Sequence, residues 1–181
     1  GLYSFIDKTN YNTCIVILRG KDWSACPEGI DSALRIPIDK NDFSYTYRGQ
    51  KIRFDLAWIT IHGTPGENGL LQGYFDMIGL PYSCCGVLPA ALTFNKYACN
   101  RYLSQFGMRV APSVLLRRGE PIDANKIVAE TGLPCFVKSN VGGSSFGTSK
   151  IKTASELPKA IDLAYGEGDE VLVEGFLSAT E

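Results

Sequence analysis

Lys138-Ser139-Asn140-Val141-Gly142-Gly143-Ser144-Ser145-Phe146-Gly147 combines one ammonium with glycines and small hydroxyl residues. Glycines let backbone N–H groups turn inward with no side chain in the way, so the stretch suits a polyphosphate. It follows the apolar run Leu133-Pro134-Cys135-Phe136-Val137 and precedes Thr148-Ser149-Lys150-Ile151-Lys152. Both flanks read as strands, so the loop would be a strand-to-strand flap. It is not a Walker loop: Gly142 and Gly147 have that spacing, but Thr148 stands where the lysine belongs. Nor does it match the dinucleotide G-x-G-x-x-G that opens a helix.

Other residues could share that chemistry. Lys138 ends a buried strand, where an unpaired ammonium is costly. Lys96 sits in the first turns of a helix in Thr93-Phe94-Asn95-Lys96. Both lysines are candidates to meet phosphates. His62 is the chain's one histidine, in the turn His62-Gly63-Thr64-Pro65-Gly66-Glu67-Asn68-Gly69 at the end of an apolar run. Such strand ends are where open α/β sheets bind ligands. Glu67 follows near a helix start, where the dipole favours its charge. Glu174, Phe176, Leu177 and Glu181 close the chain; carboxylates just past a strand can accept bonds from hydroxyl or amino groups.

These residues need elements to hold them. Tyr11–Leu18, apolar throughout Cys14-Ile15-Val16-Ile17-Leu18, and Phe54–Ile61 read as strands buried on both faces, as in a parallel sheet. Residues 20–34 read as irregular. Ile36–Ile38 and Ser44–Arg53 read as short strands, the second turning at Arg48-Gly49. A helix is expected over Leu70–Ile78, stopped by Gly79. Further helices are expected from Thr93 to Gly107, from Asp123 to Glu130 and over Ala154–Tyr165. The last strand is expected at Val171–Glu174. The fold expected is α/β: an open parallel-sheet domain over residues 1–87, then an α+β unit over 88–181.

The 181 residues carry a net charge of −1, with 45% hydrophobic and 20% charged residues. That balance offers no basic surface for nucleic acid and no apolar run long enough to span a membrane. Six cysteines lie at positions 14, 26, 84, 85, 99 and 135 with no C-x-x-C pair, and they read as reduced thiols of a cytoplasmic protein. With one histidine, a zinc cluster is not expected, and no metal ligand is assigned within the chain.

Taken together, the motifs resemble D-alanine–D-alanine ligases of the ATP-grasp superfamily. The resemblance rests on His62-Gly63-Thr64-Pro65-Gly66-Glu67-Asn68-Gly69, Leu71-Gln72-Gly73, Ile78-Gly79-Leu80-Pro81-Tyr82, Asn95-Lys96, Phe136-Val137-Lys138, Gly143-Ser144-Ser145 and Glu170-Val171-Leu172-Val173-Glu174. It implies a pre-ATP-grasp domain, incomplete at its start, followed by the first part of an ATP-grasp domain. It also implies ATP-dependent joining of two D-alanines through an acyl phosphate, for peptidoglycan precursors; D-alanine–D-lactate or D-serine ligation, or nucleotide binding alone, are the alternatives. Lys96, Lys138, Gly143 and Ser145 would then hold ATP phosphates, Glu174, Phe176 and Leu177 the adenine, and Glu181 the ribose. Ser144 and His62 would act beside the first D-alanine, and Glu67 would bind it with them. Magnesium would draw its ligands from outside this stretch, the protein would be a homodimer, and these residues alone would not turn over. Asn140-Val141 departs from the more polar flap start expected of the family.

Overall fold

The computed structural model describes residues 2–143 and 147–178. Ser144, Ser145 and Glu181, all expected site residues, lie outside the described residues. The chain divides into two compact units, residues 1–58 with 75–83 and residues 59–74 with 84–181.

In the first unit, β1 (Ile15–Arg19), β2 (Asp22–Cys26) and β3 (Ile36–Pro37) form an antiparallel sheet in that order. Arg19 pairs with Asp22, so Gly20 and Lys21 make a two-residue turn, with Gly20 at φ 54°. Such tight loops match the twist of antiparallel strands. A second hairpin, β4 (Tyr45–Tyr47) with β5 (Gln50–Ile52), turns at Arg48-Gly49 as expected, both with positive φ. Phe43 is the aromatic centre of the unit, 5.0 Å from the Phe75 ring, 5.5 Å from Phe54 and 6.0 Å from Trp23.

Three expectations change here. The apolar run at 14–18 is not a doubly buried parallel strand: its side chains are half-buried and it pairs antiparallel with β2. The span 20–34, read as irregular, supplies β2, because Trp23 and Ala25 alternate with Asp22 and Ser24. Residues 54–61 form no extended strand; their ladder is the single parallel bridge Ala57↔Tyr82. The class is α/β as expected, but its described strand pairs are antiparallel.

Helix α1 (Leu70–Ile78) forms as expected, with Leu71 and Phe75 buried and Gly79 leaving it at φ 69°. The stretch expected as one helix from Thr93 is two. α2 (Val87–Phe94) ends at Asn95, whose extended backbone starts α3 (Lys96–Ser104). The Asn95 side chain accepts from the Ala98 N–H, a cap that satisfies one orphan donor of the new helix.

The second unit is built on a four-stranded antiparallel sheet. Its strands are β6 (Ser113–Arg117), β7 (Cys135–Ser139), β8 (Ser149–Ile151) and β9 (Glu170–Gly175), ordered β6-β9-β7-β8. Helices α4 (Ala124–Thr131) and α5 (Leu157–Ala164) pack on it. Asp123 caps α4 through the Lys126 N–H, and Gly132 leaves it at φ 72°. Cys135, Val137, Val171 and Val173 meet Ile127, Leu157, Ile161 and Ala164 in one buried cluster. Each of the valine, leucine and isoleucine side chains contributes roughly 1.5–3 kcal/mol by leaving water. Strand periodicity then sends Phe136, Lys138 and Glu174 to the opposite face of the same sheet.

Candidate functional site

That opposite face is the floor of a cleft of about 800 Å³. Lys96, Asn100, Lys138, Val141, Gly142, Gly143, Glu174, Phe176 and Leu177 line it. Register explains the floor: Phe136 faces Glu174 across β7 and β9, and Lys138 faces Leu172. Lys138 and Glu174 are therefore diagonal neighbours on one face, within reach of a long side chain. The Lys138 ammonium donates to Glu174 Oε2 at 2.5 Å, and Asn100 Nδ2 from α3 donates to Oε1 at 3.0 Å. The anion that an ammonium at this strand end requires is Glu174.

Lys96 is the first residue of α3 and reaches the flap. Its Nζ donates to the carbonyls of Gly142 at 2.8 Å and Asn140 at 3.4 Å. Burial, reinforced by the Lys138 charge, pushes the Lys96 ammonium below its ordinary value, with Glu174 pulling the other way. Among the described residues Lys96, Arg109 and Lys138 thus share one cleft with Glu167 and Glu174, an excess of one positive charge that favours an added anion. An apolar wall completes it: the Phe136 and Phe176 rings lie 6.0 Å apart, with the Lys150 ammonium 4.0 Å from the centre of the Phe176 ring.

One hub holds this geometry. Asn140 is completely buried. Its Oδ1 accepts from the Tyr97 N–H at 2.8 Å, and its Nδ2 donates to Asn95 Oδ1 at 3.0 Å and Glu170 Oε2 at 2.7 Å. Its carbonyl accepts from the Lys96 N–H at 3.1 Å. The flap's first residue therefore fixes the start of the helix that carries Lys96. Sequence reasoning noted Asn140 only as a departure and passed over Asn100. The signal was there: a polar residue directly after the strand Cys135–Ser139 must find partners if it is buried.

The turn after Ile61 is tightly made. A Cβ on Gly66 would fall 2.4 Å from the Ile61 carbonyl oxygen. Glu67 Oε2 accepts from the Gly63 N–H at 2.5 Å, and Oε1 lies 3.5 Å from His62 Nδ1. Buried Gln72, on α1, donates to the Gly66 carbonyl at 2.6 Å. The structure thus joins His62 to Glu67, but His62 is 95% exposed and lines neither this cleft nor its neighbour. Glu67 does share a second pocket, of about 330 Å³, with Lys96 and Gly142.

Comparison with known proteins gives this geometry relatives. A family model described as the D-ala D-ala ligase C-terminus matches residues 102–181. D-alanine–D-alanine ligase of Phocaeicola vulgatus is 54% identical over 100% of this chain and 55% of its own length. Over its whole length the chain is similar to D-alanine–D-alanine ligases. The ligase of Bacteroides fragilis is 51% identical, again over 100% of this chain and 55% of its own length. The chain spans about half the length of the curated relatives it matches. Among solved structures, the VanG D-Ala:D-Ser ligase of Enterococcus faecalis superposes with a TM-score of 0.83 at 28% identity, over 98% of this chain and 57% of its own. D-alanyl-alanine synthetase A of Vibrio cholerae gives 0.77 at 26%, over 91% and 49%. The architecture is that of ATP-grasp ligases. Among the described residues no group of three or more His, Cys, Asp or Glu side chains is placed to hold a metal ion, and no helix is long and apolar enough to cross a membrane.

Proposed function

We propose that this chain supplies the nucleotide-phosphate wall and one substrate wall of an ATP-dependent D-alanine–D-alanine ligase. The observation that carries the reading is the convergence of Lys96 and Lys138 on one cleft with Glu174 and the glycine flap. A carboxylate oxygen of the first D-alanine attacks the γ-phosphorus and ADP leaves. The amine of the second D-alanine then attacks the acyl carbon and phosphate leaves. Lys96 and Lys138 hold the phosphates, and the flap at Gly143 and Ser145 covers them with N–H groups and keeps water away from the acyl phosphate. Glu174, Phe176 and Leu177 take the adenine, and Glu181 the ribose. Ser144 and His62 orient the first D-alanine, with Glu67 holding His62 in place. The ligands of magnesium are assigned outside this stretch, and no step is routed through it.

The domain division proposed is 1–87 and 88–181, within a cytoplasmic homodimer that makes peptidoglycan precursors. Residues 1–181 alone are proposed not to turn over. The test is ADP release by the full polypeptide with D-alanine, alone and with D-serine or D-lactate as second substrate, alongside calorimetric ATP titration of wild type, Lys96→Met and Lys138→Met. Release with D-alanine alone, and loss of ATP affinity in both variants, is expected. Unchanged affinity in both variants refutes the assignment of the lysines. Release only with D-serine or D-lactate moves the activity to those substrates.

A further inference from the structure

The second pocket contains chemistry that peptide-bond formation does not use. Cys84 and Cys85 are adjacent, both exposed, and both line it beside Lys96, Glu67 and Gly142. The remaining cysteines are less accessible. Cys26 and Cys135 are buried, Cys14 and Cys99 half-buried, and burial pushes the Cys14 and Cys135 thiols up. Gln72 lines the same pocket and is 1% exposed. Its Nε2 donates to Cys84 Sγ at 3.2 Å, which fixes where that sulfur sits. Among the described residues its Oε1 has no hydrogen-bond partner. A buried acceptor without a donor is costly, so an N–H brought to it is favoured.

We propose that this pocket is a covalent-capture site for small α,β-unsaturated imides and amides that carry an N–H, with Cys84 as the nucleophile. The thiolate attacks the β-carbon and an S–C bond forms. The C=C pair shifts to the enolate, and water returns a proton to the α-carbon, so no oxidant or reductant is needed. The N–H of the captured molecule meets Gln72 Oε1. Because Lys96 and Gly142 line the same pocket, an adduct there obstructs the phosphate lysine; this consequence rests on the nucleotide assignment above.

The test treats the full protein with limiting maleimide or N-ethylmaleimide at neutral pH and maps adducts by peptide mass spectrometry. Labelling of Cys84 at least about tenfold faster than Cys99 is expected, following exposure of the thiol. The Cys84-to-Cys99 ratio is expected to be higher for maleimide, which has the N–H, than for N-ethylmaleimide, which lacks it. Cys84→Ser removes the fast phase, while Cys85→Ser retains it. Even labelling of Cys84 and Cys99 overturns the site, and equal ratios for the two reagents overturn the role of Gln72. ATP, at a concentration shown by calorimetry to saturate, is expected to slow labelling of Cys84. Bound ATP with no slowing refutes the obstruction. If ATP does not bind, the nucleotide assignment fails instead, and the labelling ratios alone decide the capture site.

Discussion

Replacing Asn140 with alanine tests whether the flap residue really fixes the phosphate lysine. The substitution removes three side-chain hydrogen bonds, of 2.7–3.0 Å, made to Tyr97, Asn95 and Glu170. The Tyr97 N–H then loses its partner in a half-buried place, which costs about 1–3 kcal/mol. Glu170 keeps Arg117 at 3.3 Å and is 29% exposed, so water replaces part of its lost bond. The Asn95 oxygen still accepts from Ala98. Adding the terms gives a loss of about 2–4 kcal/mol. Urea unfolding followed by circular dichroism reads this directly. ATP affinity should fall as well, because Lys96 starts its helix on the Asn140 carbonyl.

Asn140→Asp separates shape from hydrogen bonding. The new carboxyl keeps an acceptor for Tyr97 but turns an oxygen toward Asn95 Oδ1 and Glu170 Oε2. Its folded pKa should be raised above the unfolded value of about 3.9. Ionising it is then disfavoured in the fold. The penalty is smallest below that unfolded value and grows as pH rises toward the folded one. A loss under about 1 kcal/mol for Asn140→Ala, or no pH dependence of the Asn140→Asp penalty relative to wild type, refutes the hub.

Three further outcomes are expected. Lys138→Met leaves the Glu174 carboxylate, 18% exposed, with Asn100 alone, and should lower ATP affinity at least about tenfold in calorimetry. Gly175→Ala places a Cβ 2.5 Å from the Thr131 carbonyl oxygen, between β9 and α4; forcing backbone apart should cost about 1–3 kcal/mol in thermal or urea unfolding. Asp42 accepts from Ser44 and pairs with Lys51 at 2.7 Å and Arg53 at 3.1 Å, and the Lys51 bond above all holds its carboxyl down to about 2. Because this pKa is depressed in the fold, its stabilisation is present above the ordinary carboxylate value and is lost as pH falls toward about 2. Asp42→Asn should therefore flatten the acid limb of the stability profile, and an unchanged limb contradicts the assignment.

Local chemistry was legible wherever one residue and its near neighbours decide the outcome. Asp123 and Gly132 bound α4 because a cap and a positive φ are short-range requirements. Arg48-Gly49 made its hairpin for the same reason. Alternation along Cys135–Ser139 let the sequence set Lys138 on the face opposite the apolar core residues. Tertiary structure alone decided what those faces meet. Glu174 reaches Lys138 only because β9 lies between β6 and β7, and strand order is not a property of any window of sequence. Residues 54–61 are apolar enough for a buried strand, yet their pairing stops at one bridge, because a strand needs a partner backbone as well as a pattern. The motifs identified by the sequence were thus the lysines, the flap and the His62–Gly69 turn. Bringing Lys96 onto the carbonyls of Asn140 and Gly142 was the work of the fold, which closes a separation of more than forty residues with one buried asparagine.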